Sequence, residues 1–552
     1  MRGSRRALAG GAVLLAAIAA LPVVAVVARG IAPGAGDTWS HLASTLLPTY
    51  VANTLALFML VGVGAGVGGT VTAWLIAHRR FPGSRLFDWA LLLPLAMPTY
   101  VMAYAYTDFL QFAGPLQGWL RATLGWSRGD YWFPDVRTLG GAATMFVFSL
   151  YPYVYLLART AFLERPPTLV EAAHTLGLSR ASAFWRVELP LARPAIAGGI
   201  ALALMETLAD YGTVAYFAID TFTTGIYRAW FSLGDRAAAA QLATSLLGFV
   251  VAAVAIERHS RRFTRVAGGT RSRSDPPVRP RLEGVRAWLA AALCAIALGV
   301  GFVIPVVLLL RLLLANEAID MSRFAWWAWN SVRVAALGSA IAVAAAVLIA
   351  YASRLAPGVL TRSTAQLLNL GYAVPGTVLA VGVLLPLGTL DNAIAEALRS
   401  AFGVNPGLLL TGSVVALLYA YLVRYFAVAS NGIEPGFARI TPAMDAAARS
   451  LGTGTFEMLL RVHGPLLARS LAAAFLLVFV DVMKELPATL VLRPFNFDTL
   501  ATQTYQFARD ERLPEAALPS LAIVLVGLLP IVLLARSARR SAATTRAMAP
   551  AV

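Results

Sequence analysis

Charge is scarce in this chain. Of 552 residues, 13% are Asp, Glu, Lys or Arg, against roughly 25% in soluble domains. That shortage, with 59% hydrophobic content and a mean hydropathy of +0.70, excludes a soluble globular protein. Cysteine is nearly absent. Cys294 stands alone, which excludes an intrachain disulfide and any cysteine-based metal or redox motif. Lysine is nearly absent too. The single lysine lies in Asp481-Val482-Met483-Lys484-Glu485-Leu486-Pro487, with no glycine before it and no Ser or Thr after it. A phosphate-binding loop needs a glycine-flanked lysine to reach the β/γ-phosphates, so the chain is excluded as an autonomous P-loop ATPase.

Long apolar runs are what the chain has instead. Twelve occur, at 8–28, 51–77, 87–111, 140–163, 194–214, 239–256, 287–310, 330–353, 366–390, 409–430, 467–490 and 517–535. Crossing a bilayer takes about 20 residues, and in lipid every backbone N–H and C=O must be satisfied within the segment. The runs are therefore predicted to be helices, and the fold class is an all-α integral membrane protein. The run 239–256 is short, and 194–214 and 467–490 contain charges. The stretch from Leu8 to Ala28 exceeds the roughly 7–15 residues of a signal-peptide core, so it reads as an uncleaved first span.

The net charge of +17 is placed by topology. With a cytoplasmic N-terminus, the inside segments hold Arg2, Arg5 and Arg6, then Arg79, Arg80 and Arg85. The cluster Arg258, Arg261, Arg262, Arg265, Arg271 and Arg273 follows, and Arg536, Arg539 and Arg540 come after the last span. This is the positive-inside pattern, and both termini are expected in the cytoplasm. Nucleic acid is not implied.

The chain repeats itself. Asn53 and Asn330 each begin an apolar segment, 277 residues apart, and Pro98 and Pro375 recur at that same interval. An even shift of six spans keeps both halves in one orientation, a parallel repeat. Residues 258–286, rich in Arg, Ser, Pro and Gly, cannot bury a core and read as a linker; its arginines are read as solvated, with a lipid-headgroup role the alternative. The organisation is an N-terminal helix and outer loop at 1–48, a first repeat domain at 49–257 and the linker at 258–286. A seventh helix with its loop at 287–328, a second domain at 329–536 and a tail at 537–552 complete it.

A polar loop is duplicated. Glu171-Ala172-Ala173-His174-Thr175-Leu176-Gly177, closed by Leu189-Pro190, is matched by Ala446-Ala447-Ala448-Arg449-Ser450-Leu451-Gly452, closed by Gly464-Pro465. Gly452 follows Gly177 at an interval of 275 residues, as Pro465 follows Pro190. Thr168 and Glu171 have capping-box spacing, small side chains at Ala172 and Ala173 permit close approach by another surface, and Gly177 permits a sharp turn. A second short helix is predicted from Ser179 to Val187, stopping before Leu189-Pro190.

These loops resemble the EAA loop of the transmembrane subunits of binding-protein-dependent ABC importers, and the likeness covers nearly the whole chain as two fused type I permease domains. The resemblance implies a coupling helix from each loop docking on an ATPase subunit. The docking residues are then Glu171, Ala172, Ala173, Gly177, Leu189 and Pro190 in the first loop. In the second they are Asp445, Ala447, Ala448, Gly452 and Pro465. The second copy departs from the pattern: Ala446 stands where Glu171 stands, with Asp445 one residue earlier. The expected partners are two ATPase copies, an extracytoplasmic binding protein and membrane lipid. The chain itself is expected to bind no cofactor, with ATP and Mg on the ATPase.

Charges also lie at membrane depth. Glu206 and Asp210 sit in the fifth run, and the 275-residue interval leads to Asp481 and Glu485 in the eleventh. At i and i+4 each pair is predicted to share one helix face. Intramembrane ionisable groups usually line a pathway, and Glu206, Asp210, Tyr211, Asp481, Lys484 and Glu485 are the pathway candidates. Oxygen ligands suit a hard cation, though no metal-ligand set is assigned. The alternative is structural: Lys484 paired with Asp481, and the acids at the outer interface. Stretches from Glu206 to Val214, Thr221 to Trp230, Lys484 to Leu490 and Leu492 to Leu500 look like the ferric-iron importer permeases. That resemblance implies ferric iron as cargo, moved by alternating access with no bond made or broken by this chain. Thiamine, polyamine or phosphonate permeases share the architecture, and an ion-coupled secondary transporter is the rival class. Tyr227, Trp230, Tyr505 and Phe507, on outer segments, read either as a binding-protein surface or as interfacial anchors.

Overall fold

A computed structural model describes residues 2–32, 36–127, 129–163, 171–173, 175–262, 279–315 and 320–547. Thr168, His174 and the linker arginines Arg265, Arg271 and Arg273 lie outside the described residues. Among those described, all extended regular structure is helical, and a single backbone bridge joins Arg80 to Arg281. Eleven helices among the described residues are long and apolar enough to cross a membrane, or twelve if one bent pair counts as a span.

The bent pair is the third predicted run. Ser84–Ala96 and Thr99–Leu124 meet at 91°, and the break falls at Pro98. Proline offers no N–H and disfavours helical geometry in the residue before it. Pro98 is extended, at φ −61° and ψ 138°, and follows the 3₁₀ turn Leu93–Ala96. Pro375 repeats the device at φ −58° and ψ 144°, after the 3₁₀ turn Leu370–Ala373. The run 366–390 is thus two helices, Val359–Asn369 and Gly376–Phe402.

Other prolines stay inside helices by widening a turn. The π turns Phe184–Glu188, Gly299–Val303 and Leu459–His463 are followed two residues later by Pro190, Pro305 and Pro465. A π turn relieves the clash between the proline ring and the carbonyl four residues back. The short helix predicted to stop before Leu189-Pro190 therefore does not stop. Arg180–Ala183 runs through its π turn into Leu189–Ala209.

The chain packs as two compact units, neither of which is a continuous sequence half. One comprises Met1–Ala43, Gly225–Leu247 and Ile319–Gln503; the other comprises Ser44–Thr224, Gly248–Ala318 and Thr504–Val552. In the first unit, helix Arg2–Ile31 packs on Met321–Leu355, Val359–Asn369 and Gly376–Phe402. Pro22 within it leaves the Ile18 carbonyl without its helical donor, and the Tyr419 hydroxyl donates to that carbonyl. Gly382 admits the contact: a Cβ there would lie 2.4 Å from the Pro22 carbonyl oxygen.

The second unit uses the same device. Its helix Ile304–Leu314 packs on Leu513–Ala547 and Thr99–Leu110. In the π turn before it, Pro305 cannot donate to the Val300 carbonyl, and the Tyr106 hydroxyl does so at 2.8 Å. Each unit thus takes a spanning helix from beyond its main segment and satisfies a proline-orphaned carbonyl with a tyrosine. In lipid no water could do this.

Candidate functional site

The two polar loops end in the same geometry. In the first, Glu171 and Ala172 are exposed and Ala173 is buried; Leu178 N–H donates to the Ala173 carbonyl at 3.0 Å. In the second, helix Pro442–Ser450 leaves Ala446 and Ala447 exposed and buries Ala448, and Thr453 N–H donates to the Ala448 carbonyl at 3.2 Å. Both turns reverse through a left-handed glycine, Gly177 at φ +83° and Gly452 at φ +81°, a conformation costly for any residue with a Cβ. Just before each glycine a leucine points out, Leu176 and Leu451, both 83% exposed. Neither leucine was nominated from the sequence. The signal was present: leucine recurs at the 275-residue interval where glutamate does not.

Asp445 is the residue the structure moves furthest from its expected role. It is buried, and its carboxylate accepts from Arg354 Nε at 2.8 Å and from His463 Nε2 at 2.9 Å. Arg354 also donates to the carbonyls of Phe437, Ile440 and Thr441. Burial pushes the Asp445 pKa up, but the hydrogen bonds and charges of Arg354 and His463 outweigh it and hold the pKa below the usual carboxylate value. The carboxylate fixes the proton on His463 Nε2, while Nδ1 is buried without a hydrogen-bond partner among the described residues.

At the position equivalent to His463, the first loop's foot carries Glu188, also buried, which accepts from Trp74 Nε1 at 3.0 Å and lies 3.5 Å from His78 Nε2. Both loops are therefore tied at the π turn, one through an acid and the other through a base. Leu189 is half-buried, and Pro190 and Pro465 are exposed in the first turns of their helices.

The membrane-depth carboxylates do not share helix faces as predicted. Glu206 lies in Leu189–Ala209, but that helix ends before Asp210, which is extended at φ −69° and ψ 138°. Asp210 accepts from the N–H groups of Thr213 and Val214 at 2.9 and 3.3 Å, and from Thr213 Oγ1 at 3.0 Å. It thereby caps the short helix Gly212–Tyr216. Asp481 likewise lies in Gly464–Met483, and Glu485 lies beyond its end. Glu485 accepts from Ala488 N–H and Thr489 N–H, both at 2.9 Å, and from the Thr489 hydroxyl, capping Pro487–Leu492. Pro487 and the downstream N–H groups compete with helix continuation, and the helix breaks.

The surroundings of the two breaks differ. Lys484 pairs with Asp481 at 3.0 Å, as the structural alternative anticipated, and Tyr425 donates to the Asp481 carbonyl at 3.3 Å. Arg424, missed from the sequence although it interrupts the run 409–430, is buried beside Glu485. A Cβ on Gly376 would lie 2.8 Å from Arg424 Nη1 and 2.9 Å from Glu485 Oε1. The repeat interval puts Ser149 in the place of Arg424 and Ala209 in the place of Lys484. Ser149 donates to the Met97 carbonyl at 3.2 Å. Tyr211 is buried with its ring 5.8 Å from that of Tyr505. Among the described residues no group of three or more His, Cys, Asp or Glu side chains could hold a metal ion.

Beyond each break a second repeat appears. Asn53 donates to the Asp220 carbonyl at 2.8 Å, and Asn330 to that of Asp498 at 3.1 Å. Each aspartate opens a turn in which Thr221 N–H bonds Thr224 Oγ1 at 2.8 Å, and Thr499 N–H bonds Thr502 Oγ1 at 2.9 Å. The pattern Asp-Thr-x-x-Thr-x-x-Tyr recurs 278 residues apart, ending at Tyr227 and Tyr505.

Residues 67–265 match the family of binding-protein-dependent transport system inner membrane components. The chain is 25% identical over 522 residues to the Fe(3+)-transport system permease protein FbpB 2 of Haemophilus influenzae, covering 94% of this chain and 96% of that one. A second protein of that organism, the putative ferric transport system permease protein FbpB 1, is 24% identical over 487 residues, 83% of this chain and 73% of its own. The sulfate transport system permease protein CysT of Escherichia coli is 28% identical over 198 residues, 36% of this chain and 69% of that protein.

Proposed function

This chain belongs, through residues 67–265, to the binding-protein-dependent transport system inner membrane components, and on that premise we propose that it is the fused permease of an ATP-driven importer of ferric iron. It is a multi-pass inner-membrane transport subunit. Ferric iron as cargo is supported by the reach of the likeness: the ferric permease relative spans 94% of the chain, the sulfate permease 36%. Cargo arrives from an extracytoplasmic binding protein. ATP and Mg are held by two copies of a separate ATPase on the cytoplasmic side, where both termini lie, and this chain binds no cofactor of its own.

One observation carries the coupling: two repeat-related loops each present a leucine, Leu176 and Leu451, 83% exposed ahead of a left-handed glycine. An apolar side chain held out on a rigid turn is an anchor for a pocket on a partner. Motion of the second loop reaches helix Met321–Leu355 through Arg354 and helix Gly464–Met483 through His463, both gripping Asp445. Glu188 links the foot of the first loop to helix Leu47–His78. The helix breaks at Asp210 and Glu485 are where such motion changes the exposure of Glu206 and Asp481, the carboxylates left outside the caps. The chain supplies positioning and charge, and no bond is made or broken on it.

A second reading, an oxyanion as cargo, has Arg424 and Lys484 in its favour, since both are cations at membrane depth. Proteoliposomes holding the permease, its ATPase and its binding protein distinguish the two. ATP-dependent uptake of radiolabelled ferric iron, with no uptake of labelled sulfate, is expected. Sulfate uptake without iron uptake would replace the first reading by the second, and uptake by this chain alone on an ion gradient would remove both.

A further inference from the structure

In the unit that contains residues 44–224, the turn after helix Leu47–His78 is stitched to the end of the linker. Arg80 N–H donates to the Pro280 carbonyl at 3.1 Å, and Leu282 N–H donates to the Arg80 carbonyl at 2.8 Å. This seats residues 279–283 at the start of helix Gly284–Leu298, which packs on Leu47–His78 and Ser84–Ala90.

Arginines converge there. Arg80 and Arg281 form the backbone bridge, and Arg159 comes from the end of helix Leu139–Leu163. Arg279 is half-buried among them: burial lowers its pKa, and Asp88, Arg159 and Arg80 are the neighbouring charges that act on it most strongly. Asp88 is already engaged, accepting from Arg159 Nε at 2.7 Å with Nη2 at 2.6 Å. Glu283, the next acid along the chain, is exposed. Three guanidinium groups, those of Arg80, Arg159 and Arg279, thus gather about one committed carboxylate, and the exposed Arg281 is bridged to Arg80 through the backbone. Directly along the helix from this cluster, Val285, Trp288 and Leu289 are exposed, as is Leu86 on the neighbouring helix Ser84–Ala90.

A cluster of cations at helix ends, beside an exposed apolar strip, fits a molecule with an anionic head and a hydrocarbon tail. Basic pockets between spanning helices on the cytoplasmic side suit phosphate headgroups, and guanidinium groups bind phosphate through fixed, forked donors. We infer that this is a binding site for an anionic phospholipid, its headgroup phosphate held by Arg80, Arg279 and Arg281 and its chains lying on Val285, Trp288 and Leu289. The lipid fastens the linker end to the first half's helices. The inference rests on the reading above only in placing these helix ends at a membrane boundary.

The test is native mass spectrometry of the full chain in mild detergent, with phosphatidylglycerol added in competition with phosphatidylcholine. The wild type is expected to retain phosphatidylglycerol preferentially. Removing arginine charge with Arg80→Gln and Arg279→Gln should cut retention roughly five-fold per arginine, while the Arg→Lys pair should keep most of it. Trp288→Ala, which leaves the charge intact, should weaken retention of long-chain over short-chain lipid. Should the double Gln variant fail to fold, the exposed Arg281→Gln serves in its place. Unchanged retention in the Gln variants overturns the proposal. So does displacement of the lipid by excess inorganic phosphate, since that outcome makes the cluster a free-phosphate site. The measurement needs no ATPase, binding protein or iron, so its failure is distinct from a failure of iron uptake.

Discussion

Asp445 and His463 face each other across 2.9 Å, eighteen residues apart, at the foot of the second loop. With Arg354 they close a buried polar cluster that holds the loop to two spanning helices. Removing one partner of a buried ion pair leaves the other uncompensated, at about 3–5 kcal/mol. Asp445→Ala is therefore expected to lower stability by roughly 3 kcal/mol and to uncouple ATP hydrolysis from transport. Thermal unfolding in detergent and substrate-stimulated ATPase activity measure the two effects, and unchanged values for both would remove the anchor.

The same carboxylate sets a pH dependence. Its folded pKa is held below the unfolded value of 3.8, so the folded state binds fewer protons through that window. Its contribution to stability is complete above the ordinary carboxylate range and is lost as pH falls through the depressed folded pKa. The stability difference between wild type and Asp445→Asn should be flat from pH 7 to about 5 and shrink below about 4. A difference that grows on acidification would contradict the assignment.

Exposed tips can be changed without disturbing the fold. Leu176→Arg and Leu451→Arg place charge where a pocket expects hydrocarbon, and each should reduce ATPase capture at least about tenfold, a loss of roughly 1.4 kcal/mol or more. Membrane insertion and thermal midpoint should stay unchanged. Gly177→Val differs in kind: it forces a β-branched residue to φ +83°, costing about 1–2 kcal/mol of local strain as well as the docking geometry. Normal capture of the ATPase by both leucine variants would show that the tips are not the contact.

Much of this architecture was legible in the sequence. The apolar runs located the spans, and the 275- and 277-residue intervals paired the loops and the prolines, because lipid burial and backbone geometry constrain local sequence strongly. Three things were not. The assumption that Glu206 and Asp210 share a face treated the fifth run as unbroken, while the capping preference of Asp210 competes with helix continuation. Asp445 looked like a surface acid, because its partners Arg354 and His463 lie 91 and 18 residues away. The packing of Arg2–Ile31 on the second half's helices leaves no local trace, since an apolar helix does not encode its neighbour.

Gly376 separates the buried Arg424 from crowding by its own backbone. A Cβ at that position would come within 3.0 Å of both Arg424 Nη1 and Glu485 Oε1. Gly376→Ala should shift both groups, cost roughly 1–3 kcal/mol, and impair iron uptake more than ATPase binding. Glu206→Gln should likewise reduce uptake while leaving stability within about 0.5 kcal/mol of wild type. Asp210→Asn should weaken the cap of Gly212–Tyr216 by about 1 kcal/mol. If Asp210→Asn and Glu206→Gln had the same effect on stability and uptake, the separation of cap from path would fail.

Pro22 and Tyr419 make the sharpest test of the helix exchange. Proline removes the N–H that would bond the Ile18 carbonyl, and the Tyr419 hydroxyl supplies the missing donor. In lipid an orphaned carbonyl finds no water, so Tyr419→Phe alone should destabilise the chain by roughly 1–3 kcal/mol and increase protease access to helix Arg2–Ile31. Pro22→Ala restores an N–H within the helix, and Ile18 no longer needs the tyrosine. In that background Tyr419→Phe should cost far less, giving a coupling energy of about 1–2 kcal/mol in a double-mutant cycle read by thermal unfolding. Two independent, additive effects would mean that the hydroxyl does not replace the lost donor, and that apolar packing at Gly382 holds the exchanged helix by itself.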